Sequence, residues 1–158
     1  MPHVMFGGLT HEPAIELGRK LVEILPAGLD RIFYCDSGSA AVEVAMKMAV
    51  QYQLARGNAD KLTFATICGG YHGDTWKAMS VSDPVNGMNA LFRHALSIQH
   101  FLPRPAIRHG EDWSDDGENN GLNALERLFE TKGARIAGLV LKPLAQGAGR
   151  MLGWLTLN

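Results

Sequence analysis

Asp36-Ser37-Gly38-Ser39 stands immediately before a helical pattern and immediately after the short apolar run "RIFYC". The first N–H groups of a helix have no partner within it, and the helix dipole favours negative charge there. Gly38 lets backbone come close to a ligand, and Ser39 adds a hydroxyl donor. That chemistry suits a phosphate group. The competing reading is an ordinary serine or aspartate cap, which stabilises a helix by about 1 kcal/mol. The pattern is neither the phosphate loop "GxxxxGK[ST]" nor the dinucleotide fingerprint "GxGxxG".

A second turn, "GGYHGDT", sets Tyr71 and His72 among three glycines. Glycines on both sides of a large aromatic leave room for a flat ligand against its ring, where offset stacking contributes about 0.5–1.5 kcal/mol beyond buried area. A phosphate cradle and a stacking platform together describe a phosphorylated planar cofactor. The alternative makes Tyr71 a core aromatic and His72 a hydrogen-bonded loop residue.

Other candidates carry less. Ser37 and Ser39 could be hydrolase nucleophiles, but "GxSxG" is absent. The six histidines (His3, His11, His72, His94, His100 and His109) form no ligand spacing such as "HExxH", so no metal is expected. "DWSDDGE" (112–118) lacks the order of a calcium loop and reads as a solvated loop. Met46, Met48 and Met79 read as core.

These residues need elements to hold them. Ala14, Leu17, Leu21 and Ile24 recur at helical spacing over 12–25, with Thr10 as cap and Pro26 and Gly28 as the stop. Arg31–Cys35 reads as a buried strand. Ala41, Val44, Ala45, Met48 and Tyr52 mark one face of a helix over 39–56, closed by Gly57-Asn58. A strand over 62–67, a short helix over 75–81, a weak strand over 97–102, a helix over 120–131 and a strand from "ARIAGLVLKPL" follow. The stretch from 84 to 116 reads as otherwise irregular. Helix and strand alternate, and the strands are continuous apolar runs. The class is therefore α/β, a mainly parallel sheet flanked by helices. In such sheets ligands sit beyond the carboxyl ends of strands. "DSGS", "GGYHGDT" and "KPLAQGAG" all fall at such ends.

The 158 residues suit one domain, and 46% are apolar, enough for a core. Fifteen basic against sixteen acidic side chains give no electrostatic reason to expect nucleic acid or a membrane surface. No apolar run reaches the roughly 20 residues of a membrane helix, and the N-terminus does not read as a signal peptide. Cys35 and Cys68 are expected as reduced, buried thiols in a cytoplasmic protein.

Four stretches, "HVMFGGLTHEPAIEL", "DSGSAAVEVAMKMA", "GGYHGDTWKAMSVSDP" and "IAGLVLKPLAQGAG", resemble the class III aminotransferases, which use pyridoxal 5'-phosphate on the type I fold. "YHGDT" with "AMSVSDP" and "VMFGGLTH" resemble the branch that moves the amino group of S-adenosylmethionine onto 8-amino-7-oxononanoate, giving 7,8-diaminononanoate in biotin synthesis. The resemblance implies that Gly38 and Ser39 hold the cofactor phosphate and that Tyr71 stacks near the pyridine ring and helps bind substrate. It also implies a homodimer for the full-length enzyme. The family's Schiff-base lysine and its pyridine-pairing aspartate lie beyond the region matched. Residues 1–158 are therefore expected to be part of the large, cofactor-binding domain, truncated at both ends relative to the family and inactive alone. Where the family has glutamate before proline, this chain has Lys142, which reads as a solvated or mispaired lysine and not as a Schiff-base lysine, since the family's lysine occupies another place. Two other readings stand: a non-enzymatic phosphate- or nucleotide-binding α/β module, and a non-functional gene remnant.

Overall fold

The computed structural model describes residues 8–85, 90–104, 115–142, 145–146 and 150–151. The chain divides into two compact units, up to Cys35 and from Asp36 onward.

The first unit is built on α1 (Glu12–Ile24). Its cap is His11 rather than Thr10: His11 is extended, and its Nδ1 accepts the amide of Ala14 at 3.1 Å. An imidazole nitrogen can satisfy a first-turn donor as a hydroxyl does. Pro13 stands in the first turn, where no amide is missed. The inward face is Ala14, Gly18, Leu21 and Val22, while Leu17 and Ile24 are exposed. Tyr34 crosses that face and donates its hydroxyl to the Ala14 carbonyl. A Cβ on Gly18 would come within 2.8 Å of the Tyr34 hydroxyl, so glycine is what lets the ring lie there. Arg31–Cys35 is not a strand. Its backbone joins no ladder among the described residues, and Phe33 is exposed. Aromatic and β-branched residues favour extended backbone, but a strand also needs a hydrogen-bonded neighbour.

The second unit is a parallel sheet with helices on both faces. After α2 (Gly38–Ala55) come β1 (Thr63–Ile67), the short α3 (Trp76–Ser80), β2 (His100–Leu102), α4 (Asp115–Lys132) and β3 (Ile136–Leu139). The strand order is β2-β1-β3, parallel throughout, with Ala65 opposite His100 on one side and Leu139 on the other. A small antiparallel pair, β4 (Ala145–Gln146) and β5 (Arg150–Met151), follows. Among the described residues no helix is long and apolar enough to cross a membrane.

Successive side chains of β1 point to opposite faces, so each face needs its own cover. On one, Phe64 packs with Met46, Val81 and Ala137, ringed by Val42, Ala49, Val50 and Val140. On the other, Ile67 and Leu102 pack under Ala124, Leu125, Leu128 and Leu141. Burying a side chain the size of Phe64 or Ile67 contributes about 1.5–3 kcal/mol.

The inward face of α2 differs from the expectation. Val42, Met46, Ala49 and Val50 face the sheet, while Ala41, Ala45, Met48 and Tyr52 are exposed. Met46 is core; Met48 is not, and Met79 is only partly buried. Gly57, at φ +81°, ends the helix as expected. α4 begins five residues before the expected start, so 115–118 of the supposed acidic loop are helical; 112–114 lie outside the described residues.

Gln99 ties the unit together. Its Oε1 accepts the Phe64 amide at 2.7 Å, and its Nε2 donates to Ser80 Oγ at 3.2 Å. Gln99→Ala strands a buried amide, so a loss of about 1–3 kcal/mol is expected in the urea unfolding free energy. An unchanged midpoint would refute this account of Gln99.

Candidate functional site

The carboxyl end of β1 runs straight into Cys68 and the glycine turn. Gly69 and Gly73 have φ of +82° and +121°, a region that favours glycine. The turn is pinned from behind: Asp83 donates its amide to Gly70 O at 2.8 Å, and His72 donates its amide to Ser82 Oγ at 3.0 Å. It meets the start of α2 from the front. A Cβ on Gly73 would sit 2.7 Å from both Cα and Cβ of Ser39.

At that helix start Ser37 is the cap, its Oγ accepting the Ala40 amide at 3.1 Å. Ser37 O accepts the Ala41 amide at 3.0 Å. The amides of Gly38 and Ser39 then have no partner within the helix. A Cβ on Gly38 would meet nothing within 4 Å, so the space beside these amides is open. Of the two sequence readings of "DSGS", the cap is observed at Ser37, and Gly38 and Ser39 stand at the first two positions of the helix. The stretch does not, however, follow a strand.

Ser39 and Tyr71 are brought together through Asp74. The Asp74 amide donates to Ser39 Oγ at 2.9 Å, and the Tyr71 hydroxyl donates to Asp74 Oδ2 at 2.5 Å. Ser39 Oγ keeps its own proton to give to a ligand. Tyr71 is 39% exposed, a surface ring and not a core aromatic. The hydrogen bond to Asp74 pushes the Tyr71 phenol above its ordinary pKa, burial and the Asp74 charge adding to this, so it stays a protonated donor.

His72 is the opposite case. It is 5% exposed, and its Nε2 has no hydrogen-bond partner among the described residues. Burial first, and the Lys142 ammonium second, push its pKa down to about 4. The expectation of a hydrogen-bonded loop histidine holds for its backbone amide but not for Nε2. Lys142 follows β3, and its Nζ lies 5.8 Å from the centroid of the Tyr71 ring.

Cys68 and Cys35 are free and only partly buried. Burial, then the Asp83 charge, push the Cys68 thiol up against the opposing pull of Arg104, which disfavours a nucleophilic thiolate. Among the described residues no group of three or more His, Cys, Asp or Glu side chains is placed to hold a metal; His3 and His109 lie outside them.

Sequence reasoning passed over Asp74, although it stood inside the quoted motif three residues after Tyr71, a spacing that lets a carboxylate reach back. Arg104, whose guanidinium lies against Gly69, gave no local signal.

The family described as Aminotransferase class-III matches residues 1–153. An adenosylmethionine-8-amino-7-oxononanoate aminotransferase of Buchnera aphidicola is 45% identical over 151 residues, 96% of this chain and 34% of the relative. The crystal structure of the enzyme so named from Methanocaldococcus jannaschii superposes with a TM-score of 0.78 at 32% identity, covering 92% of this chain and 30% of that one. A PLP-bound aminotransferase mutant from Vibrio fluvialis gives 0.78 at 29% identity, covering 96% and 33%. The chain spans about a third of the length of the curated relatives it matches.

Proposed function

The chain belongs to the class-III aminotransferases, and from that membership we propose that it is part of the cofactor-binding domain of an enzyme that transfers the amino group of S-adenosylmethionine to 8-amino-7-oxononanoate. The product would be 7,8-diaminononanoate, and the cofactor pyridoxal 5'-phosphate. The relatives' names support the substrates, and the PLP-bound structural neighbour supports the cofactor.

The observation that carries this reading is the hydrogen-bonded path from Ser39 through Asp74 to Tyr71. It holds the start of α2 beside a flat ring, an arrangement that would suit a phosphorylated pyridine. The fit is physical: open space beside Gly38, two amides at the start of an 18-residue helix, a hydroxyl proton on Ser39 and a partly exposed aromatic ring. When bound, the cofactor supplies an electron sink for the amino-transfer chemistry. The Gly38 and Ser39 amides and the Ser39 hydroxyl would grip the phosphate. Tyr71 would support the ring and contact substrate, with Asp74 fixing its tilt. His72, neutral, adds no positive charge behind the platform. Residues 1–158 make up only part of that domain in this reading, and the whole enzyme is proposed as a cytoplasmic homodimer, on family membership alone.

Titration of the purified chain with pyridoxal 5'-phosphate, followed by absorbance and fluorescence, tests the proposal. Saturable binding is expected, weakened about tenfold by Ser39→Ala, the worth of one hydrogen bond to a charged group. Binding of a nucleotide with no response to pyridoxal 5'-phosphate would instead establish the non-enzymatic phosphate-binding module.

A further inference from the structure

Tyr71 does not present a bare face. Lys142 Nζ stands over its ring, 5.8 Å from the centroid, within reach of a cation–π attraction. A flat ring stacked on a tyrosine has its centroid about 4.5–7 Å from the tyrosine centroid. Ammonium and stacked ring would therefore fill the same layer, and one excludes the other. The sheet sets the lysine there: the Val140 amide donates to Ala65 O at 2.8 Å, which keeps the end of β3 beside the strand that leads into Gly69–Asp74. The same charge, after burial, lowers the pKa of the neighbouring His72. The backbone is fixed, but the four-carbon stem is flexible and can swing clear without moving the sheet.

We propose that Lys142 is a displaceable cover on Tyr71, and that a planar phosphorylated ligand must push its ammonium off the ring before it can stack there. This rests on the cofactor reading above and adds a restraint on that same site. On a partly exposed ring such a contact favours the covered arrangement by a factor of about two to five. The face then stands open for only about a third to a sixth of the time, and the apparent affinity falls by that fraction. Lys142 is thus a competitor for the ring and not one of the groups that grip the ligand.

Pyridoxamine 5'-phosphate is the probe, because it has no aldehyde to react with amines. It is titrated into the whole chain at about 0.3 M salt, which screens the longer-range pull of Lys142 on the phosphate. Lys142→Met should bind it about three- to sixfold more tightly than the unaltered chain. Lys142→Gln, which also lacks the charge, should match Lys142→Met. Lys142→Arg keeps a cation over the ring and should bind no more tightly than the unaltered chain. Misfolding cannot imitate a gain in affinity. The lysine's own NMR signal gives a readout without substitution: the Tyr71 ring current shifts the Lys142 Cε protons upfield, and saturation with the probe should return them to the ordinary lysine position. Saturable binding with equal or weaker affinity in the Met and Gln variants, or an upfield shift that survives saturation, overturns the cover and leaves the cofactor reading standing. Equal tightening in Lys142→Arg overturns it too, since the charge would then not be the obstacle. If none of the four proteins binds the probe saturably, the cofactor reading falls, and the cover with it.

Discussion

Gly73→Ala is expected to cost about 2–6 kcal/mol in the urea unfolding free energy and to abolish binding of pyridoxal 5'-phosphate. Two effects add. Alanine at a φ of +121° is strained by about 1–3 kcal/mol. Its methyl would also lie 2.7 Å from Ser39 Cα and Cβ, an overpacking worth about 1–3 kcal/mol. The contact cannot be relieved by a rotamer change, because one of the atoms is backbone. Either the glycine turn or the start of α2 must move, and with it the hydrogen bond from the Asp74 amide to Ser39. Gly57→Ala is the control. Gly57 also has positive φ, +81°, but a Cβ there meets nothing within 4 Å. It should lose only the backbone term, about 1 kcal/mol. Equal losses at the two positions would show that the turn and the helix start are not packed together.

Acid should unfold this chain sooner than its carboxylates alone require, because of His72. The imidazole has an unperturbed pKa near 6.5 and a folded value of about 4. Between those values the unfolded chain binds a proton that the folded chain refuses, so stability rises with pH across this window. The contribution is fully present above pH ~6.5 and is lost as pH falls through about 4. Its size is at most about 3.5 kcal/mol, at roughly 1.4 kcal/mol per pKa unit. His72→Leu, close in volume, should flatten the slope of unfolding free energy against pH between about 4 and 6.5. His100 is shifted the same way, by burial first and then by Lys132 and Arg135, so some slope will survive. A slope unaltered in the variant would mean that His72 can be protonated without unfolding.

Much of this architecture could be read from the residues. Thr63–Ile67 is a short apolar run bounded by polar residues and then glycines, and it is the central strand. The glycines of "GGYHGDT" mark the turn where positive φ is needed. Other features depend on neighbours that local pattern does not contain. α2 is apolar on two sides: Val42, Met46, Ala49 and Val50 on one, Ala41, Ala45, Met48 and Tyr52 on the other. Periodicity cannot choose between two such stripes; only packing against Phe64 and Ala137 does. Arg31–Cys35 has strand composition, yet no described ladder includes it. Gly38, Ser39 and Tyr71 could be singled out as candidates because glycine, hydroxyl and ring are chemical signals in themselves, and Ser39 and Tyr71 are joined through Asp74. The place of Lys142 over Tyr71 was not legible, since 70 residues of chain lie between the two and only the β1–β3 pairing closes that distance.

The path from Ser39 through Asp74 to Tyr71 has one more effect. A ligand oxygen that draws on the Ser39 hydroxyl polarises its oxygen, which strengthens the bond from the Asp74 amide and steadies the carboxylate that holds the phenol. Occupancy of the helix end would then bear on how freely the ring can rock. The two halves of a bound molecule would be felt cooperatively, each lowering the entropy cost of ordering the other.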